Sequence, residues 1–193
     1  MSAESDFLEH KKNALKKLQK AKEENLADED IIPILDLINN LDDYYTSSSC
    51  YGRIVLLEIP TIGDKKNAVF LGKWHRKINT SEILKAANNA NKGQLWVLAQ
   101  SPIIHIGAKT NIAADKILKT AIACGFKNSG LKSIYKNIVL EVVSTERLDS
   151  PIGKDGKLFC DDEYLDLLVE IANDIMDKSG FKLNKFEKEL KKL

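Results

Sequence analysis

Apolar positions recur at helical spacing in five stretches of the chain and alternate or cluster as strands in five to seven others. Leu8, Leu15 and Leu18 mark one face of a helix over 3–24, with lysines on the other face. Ile31, Leu35, Ile38 and Leu41 predict a second helix ending near residue 40. Pro33 must then sit in its first turn, since deeper inside it would cost a hydrogen bond and about 3 kcal/mol. The polar run Thr46-Ser47-Ser48-Ser49-Cys50-Tyr51-Gly52 follows. Hydroxyl side chains compete for backbone hydrogen bonds, so this run is expected to be a donor-rich loop leading into a strand.

Residues 52–59 and 68–74 read as a hairpin around the turn residues Pro60 to Asp64. A helix capped by Thr80 or Ser81 carries Ile83, Leu84, Ala87 and Ala90, and Gln94–Ala99 with Ile103–Ala108 suggests another strand pair around Ser101-Pro102. Asn111 can cap a helix through Ile112, Ile117, Leu118, Ala121 and Ile122, which Gly125 stops. A second Gly/Ser/Asn loop over 125–131 precedes the strand 138–143, so a serine-bearing loop followed by a strand occurs twice, a weak two-fold echo. Residues 147–157 are rich in turn formers. Asp161 or Asp162 starts a helix through Leu165, Leu168, Ile171, Ala172 and Ile175, interrupted at Gly180 before a basic helix or tail.

Hairpins and partly segregated helices predict an α+β fold: a mainly antiparallel, mixed sheet covered by helices, with a possible internal pseudo-repeat, and not a Rossmann fold. The expected organisation is one domain over 1–193, with 1–27 and 178–193 as helical appendages. Composition adds little to this picture: 44% of the 193 residues are hydrophobic and 30% charged, as in an ordinary globular protein. No apolar run reaches the roughly 18 residues of a membrane span, and the polar start is unlike a targeting peptide. Three widely spaced cysteines, Cys50, Cys124 and Cys160, point to free thiols in a reducing, cytoplasmic compartment.

Charge changes the picture more. The net charge is only +1, yet residues 44–147 hold 15 Lys and Arg against 6 Asp and Glu, between acidic flanks. A basic block of this kind suits a polyanion; neither DNA nor a membrane is an expected partner. The glycine-rich dinucleotide and phosphate-loop motifs are missing, as are paired-cysteine and His-Glu-x-x-His metal spacings, so no metal is expected. What remains is a set of polar groups at strand ends: Ser47, Ser48, Ser49, Arg53, Trp74, His75, His105, Lys127, Asn128, Ser129 and Ser144.

These same residues carry a resemblance. Thr-Ser-Ser-Ser-Cys-Tyr-Gly-Arg-Ile, the strand end at His75, Ile-His105-Ile and Gly-Phe-Lys-Asn-Ser-Gly occur in one order, followed by Ser144-Thr145 and Pro151 with Gly156-Lys157-Leu158. From about residue 28 to 164 the chain resembles the tRNA wybutosine-synthesizing protein 3 family, including its archaeal members. The resemblance implies an S-adenosylmethionine-dependent methyltransferase acting on N4 of an aminocarboxypropyl-demethylwyosine next to the anticodon of phenylalanine tRNA. Other enzymes of the same modification pathway are then potential partners. Beside it, the chemistry of the residues suggests roles. Ser47, Ser48, Ser49, Arg53 and Trp74 are the expected cofactor contacts, Arg53 through a carboxylate. His75, or else His105, is the expected proton acceptor, and Lys127, Asn128, Ser129 and Ser144 are the expected tRNA contacts. A non-catalytic tRNA-binding module is the competing reading. A hydrolase built on Ser48 or Ser49 and a histidine is a weaker third.

Overall fold

The computed structural model describes residues 3–135 and 137–193. The elements in order are α1 (Ala3–Glu23), a 3-10 turn (Glu29–Ile31), α2 (Ile32–Asn40), β1 (Tyr44–Cys50), β2 (Arg53–Ile59), β3 (Val69–Trp74), α3 (Thr80–Ala87), β4 (Gln94–Gln100), β5 (Ile103–Ala108), α4 (Asn111–Ala123), β6 (Gly130–Ser133), β7 (Ile138–Val143), β8 (Arg147–Lys154), β9 (Lys157–Leu158) and α5 (Asp162–Leu190). The fold is α+β, with every strand pair antiparallel. The described residues divide into two compact units, one of Met1–Tyr51, Pro102–Thr145 and Ser179–Leu193, the other of Gly52–Ser101 and Glu146–Lys178. Among the described residues, no helix is long and apolar enough to cross a membrane.

The first unit is built on a four-stranded sheet in the order β1-β5-β7-β6. Alternation along the strands sends Ile104, Ile106, Leu140 and Val142 to one face. There they join Ile34, Leu35 and Ile38 of α2, Ile117 and Ala121 of α4, and Leu183, Phe186 and Leu190 from the end of α5 in one core. Phe126 meets Phe186 edge to face at 5.7 Å, and both are fully buried. Phe126 is held there by the end of α4. Gly125 takes a φ of +105°, the Gly125 N–H donates to Ile122 and the Phe126 N–H to Ala121, which is the paired closure of a glycine-capped helix. At the other end of α4 the cap is Thr110, one residue before the expected Asn111.

The second unit carries a five-stranded sheet in the order β3-β2-β4-β8-β9. Ile54, Leu56, Val97 and Ala99 share one face and are fully buried, as are Ile83 of α3 and Ala172 of α5. The cap of α3 is Asn79, not Thr80 or Ser81. Its side chain accepts from the Glu82 N–H while the Glu82 carboxylate accepts from the Asn79 N–H.

Four expectations of local structure are corrected. Residues 44–50 form a strand rather than a loop, paired with β5 from Tyr44–Ala108 to Cys50–Ile103. The strands β4 and β5 do not pair with each other, because β4 lies between β2 and β8 while β5 lies between β1 and β7. Residues 147–154 are also a strand. Pro151 is accommodated where the register slips between Leu95 and Trp96, and Asp155-Gly156, both at positive φ, make the tight turn into β9. Finally, α5 runs through Gly180 without a break. A Cβ there would lie 3.3 Å from the Tyr51 hydroxyl, so the glycine serves packing against Tyr51.

Candidate functional site

The hydroxyl run owes its strand conformation to its partner. Thr46 points inward and is 4% exposed, and Asn39 of α2 clamps it: the Thr46 N–H donates to Asn39 Oδ1 at 2.7 Å and Asn39 Nδ2 donates to Thr46 Oγ1 at 2.9 Å. The register then shifts between Thr46 and Ser48, a bulge that leaves Ser47, Ser48 and Ser49 all exposed. With Lys17 and Leu18 of α1 and Leu35 of α2 these serines line a groove of about 220 Å³. An ammonium and a row of hydroxyl donors over an apolar floor suit an anionic group at the end of a carbon chain.

On the sheet face opposite the core, Ser48 pairs with His105 and His105 with Glu141, so the three stand in one row across β1, β5 and β7. His105 Nε2 donates to Glu141 Oε2 at 3.0 Å, and Lys132 of β6 binds Glu141 Oε1 at 2.7 Å. His105 Nδ1 is buried, with no hydrogen-bond partner among the described residues. Tyr45, in the next row, lays its ring over Gly107, and burial pushes its phenol up, so it stays neutral. Glu141 and Lys132 escaped the sequence reading. A lone carboxylate in the otherwise apolar run Ile138–Val143 was the signal that marked Glu141.

The expected tRNA contacts also lie in the first unit, with different accessibilities. Lys127 and Asn128 are exposed in the turn after α4. Ser129 is committed to the fold: its hydroxyl donates to the Phe126 carbonyl at 2.7 Å and accepts the Val143 N–H at 3.0 Å. Ser144 is 4% exposed.

Arg53, Trp74 and His75 belong to the second unit. Arg53 pairs with Gln100 across the strands, whereas Trp74 pairs with Ile54. Successive residues of a strand point to opposite faces, so Arg53 and Trp74 occupy opposite faces of this sheet. Arg53 Nε donates to Gln100 Oε1 at 2.7 Å, and the guanidinium stands 5.7 Å from the Phe70 ring centre. The Trp74 indole folds back over Gly72, where a Cβ would fall 2.0 Å from its ring. His75, half-buried, follows directly at the end of β3.

A family model described as "Methyltransferase TYW3" matches residues 9–192. The chain belongs to this methyltransferase family. Among curated relatives, a Thermococcus kodakarensis protein is 46% identical over 189 residues, covering 97% of this chain and 96% of its own. Its name is tRNA(Phe) 7-((3-amino-3-carboxypropyl)-4-demethylwyosine(37)-N(4))-methyltransferase 1. A Methanocaldococcus jannaschii protein with the same activity in its name is 43% identical over 171 residues, 86% of this chain and 88% of its own. A solved Pyrococcus horikoshii structure superposes with a TM-score of 0.94 at 46% identity, over 98% of both chains. One from Aeropyrum pernix gives 0.75 at 29% identity, over 86% of this chain and 98% of its own. These two solved structures thus share the fold over most of the chain.

Proposed function

We propose that the protein methylates N4 of 7-(3-amino-3-carboxypropyl)-4-demethylwyosine at position 37 of phenylalanine tRNA, with S-adenosylmethionine as donor. The observation that carries this reading is the 46% identity to the Thermococcus kodakarensis methyltransferase across nearly the full length of both chains. With tRNA as substrate, the reaction belongs to the cytoplasm.

When bound, S-adenosylmethionine supplies an electrophilic methyl group. The donor set of Ser47, Ser48 and Ser49 beside Lys17 fits the carboxylate end of that cofactor, and we assign these residues to it. The acceptor nitrogen sheds a proton as its bond to carbon forms, so a base must stand within reach. In His105, Nε2 is taken by Glu141 and Nδ1 is buried, which leaves neither nitrogen open to a bulky tRNA base. We therefore assign the proton to His75 and give His105 a structural part in its row. Lys127 and Asn128, both exposed, serve the tRNA backbone, while Ser129 shapes the turn beneath them. A base in an anticodon loop is already unpaired, so presenting it costs little beside flipping from a duplex.

The test is label transfer from S-adenosylmethionine to tRNA from cells lacking this enzyme. His75→Ala should lower the rate about 10²- to 10⁴-fold, the range for losing a positioned base, with His105→Ala far milder. Full activity in His75→Ala would remove the histidine assignment, and no transfer by the wild-type protein would remove the function.

A further inference from the structure

Arg53, Val55 and Leu57 of β2 share one face of the second unit's sheet with Leu98 and Gln100 of β4, because Arg53 pairs with Gln100 and Val55 with Leu98. Phe70 of β3 stands opposite Leu57 on that same face. Together they form a groove of about 440 Å³. It follows β2 for roughly 20 Å, the length of a seven-residue strand. Its floor is apolar. One end is closed by Arg53 and the other by the Gly63–Ala68 loop, where Asp64 and Lys65 line it.

Arg53 is half-buried and held at two points, through Nε by Gln100 and through its face by Phe70. Those contacts fix the guanidinium plane. Its two terminal nitrogens make no hydrogen bond among the described residues, so the fork is set for a carboxylate.

We propose that Arg53 reads the carboxylate of the aminocarboxypropyl chain on the substrate base, with the flat tricyclic ring lying along the apolar floor. This rests on the methyl transfer proposed above, and it makes Arg53 a specificity residue for a base that already carries the side chain. The reaction that attaches the aminocarboxypropyl group must therefore come first.

The methionine half of the cofactor bears the same amino-carboxylate and was the partner expected for Arg53 from the sequence. Three observations turn the groove to the base instead. Arg53 and Lys65 outweigh Asp64, so the lining is net positive, which opposes a cofactor whose sulfonium and ammonium outnumber its carboxylate and favours a nucleotide with its phosphates. Apart from Asp64 and Gln100, the lining side chains offer no acceptor for a ribose diol. Trp74, the aromatic group expected beside Arg53 on the cofactor, lies on the opposite face of the sheet.

The experiment compares two phenylalanine tRNAs, one with the aminocarboxypropyl chain on the tricyclic base and one without it. Dissociation constants are measured for the wild-type protein, Arg53→Gln and Arg53→Lys, with S-adenosylmethionine titrated by calorimetry against each. The wild-type protein should prefer the chain-bearing tRNA by about 10- to 100-fold, the worth of a charge-assisted pair. Arg53→Gln should abolish that preference, Arg53→Lys should keep a minor part of it, and cofactor affinity should not move. A preference that survives in Arg53→Gln overturns the assignment. So does a loss of cofactor affinity with the preference intact, which returns Arg53 to the methionine carboxylate. Equal binding of the two tRNAs by the wild-type protein overturns it without any variant. Methyl transfer on the same tRNAs separates the two readings, since no transfer by the wild-type protein sinks the activity, whereas a persistent preference sinks the groove alone.

Discussion

The Trp74 ring rests on a bare strand, and that arrangement can be broken by one methyl group. In Gly72→Ala the new Cβ would fall 2.0 Å from Trp74 Cη2 and 2.6 Å from both Cζ2 and Cζ3. Carbon atoms settle at about 3.5–4.0 Å, so the ring must move by about 1.5 Å or more. Overpacking of this kind costs about 1–3 kcal/mol. For a chain of this size that corresponds to a fall in Tm of roughly 2–12 °C. Because His75 is the next residue, swinging the indole also shifts the imidazole assigned to the proton. The variant should therefore lose methyl transfer more than tenfold at temperatures where it is fully folded, without losing tRNA affinity. Two tryptophans, Trp74 and Trp96, contribute emission, so the measurement is made in a Trp96→Phe background. There the released indole should emit further to the red. An unchanged spectrum, Tm and rate would refute both the stacking of Trp74 on Gly72 and its bearing on His75.

Other expectations can be checked more quickly. Phe126→Ala should cost about 3–5 kcal/mol, because the ring is fully buried against Phe186, and melting should show Tm lowered by roughly 6–20 °C. The hydrogen bond from Arg76, then the Asn79 N–H, hold the Glu82 carboxyl below its ordinary value of 4.5. Its contribution is thus full above that value and lost as pH falls below it, so Tm of the wild-type protein should drop more steeply there than Tm of Glu82→Gln. Lys127→Ala should weaken tRNA binding alike for both tRNAs and reduce the dependence of log affinity on log salt by about one charge. An unchanged slope would place Lys127 off the tRNA.

Elements whose local chemistry agrees with their final state were legible in the chain. Strands β2 and β3 announce themselves by apolar runs around a Pro-Gly turn, α2 by its period and its early proline, and the end of α4 by Gly125. The rest depended on partners far away in sequence. Three serines in a row argue for a turn until β5, more than fifty residues on, supplies the backbone pairing that makes them a strand. Pro151 and two glycines argue against β8 until a slipped register in β4 and a tight Asp155-Gly156 turn absorb them. Gly180 looks like a helix stop because its contact with Tyr51 lies outside any local window. The site followed the same rule. His105, Arg53 and the serines could be picked out by type, but residue type does not say which face of which sheet a side chain joins. Hence Glu141 went unpaired with His105, and residue type alone did not show that Arg53 and Trp74 stand on opposite faces of one sheet.

Strand β1 lies at the edge of its sheet, with β5 on one side only. An edge strand is a template on which another chain can add itself, and a flat apolar one invites aggregation. Here the edge is broken by a bulge and faced with three hydroxyls, none of which rewards an incoming apolar strand. The serines therefore make this edge a poor template for self-association. Replacing them with valines would leave the pairing to β5 intact and turn a solvated margin into a self-associating one, visible as growth in particle size by light scattering well below the melting temperature.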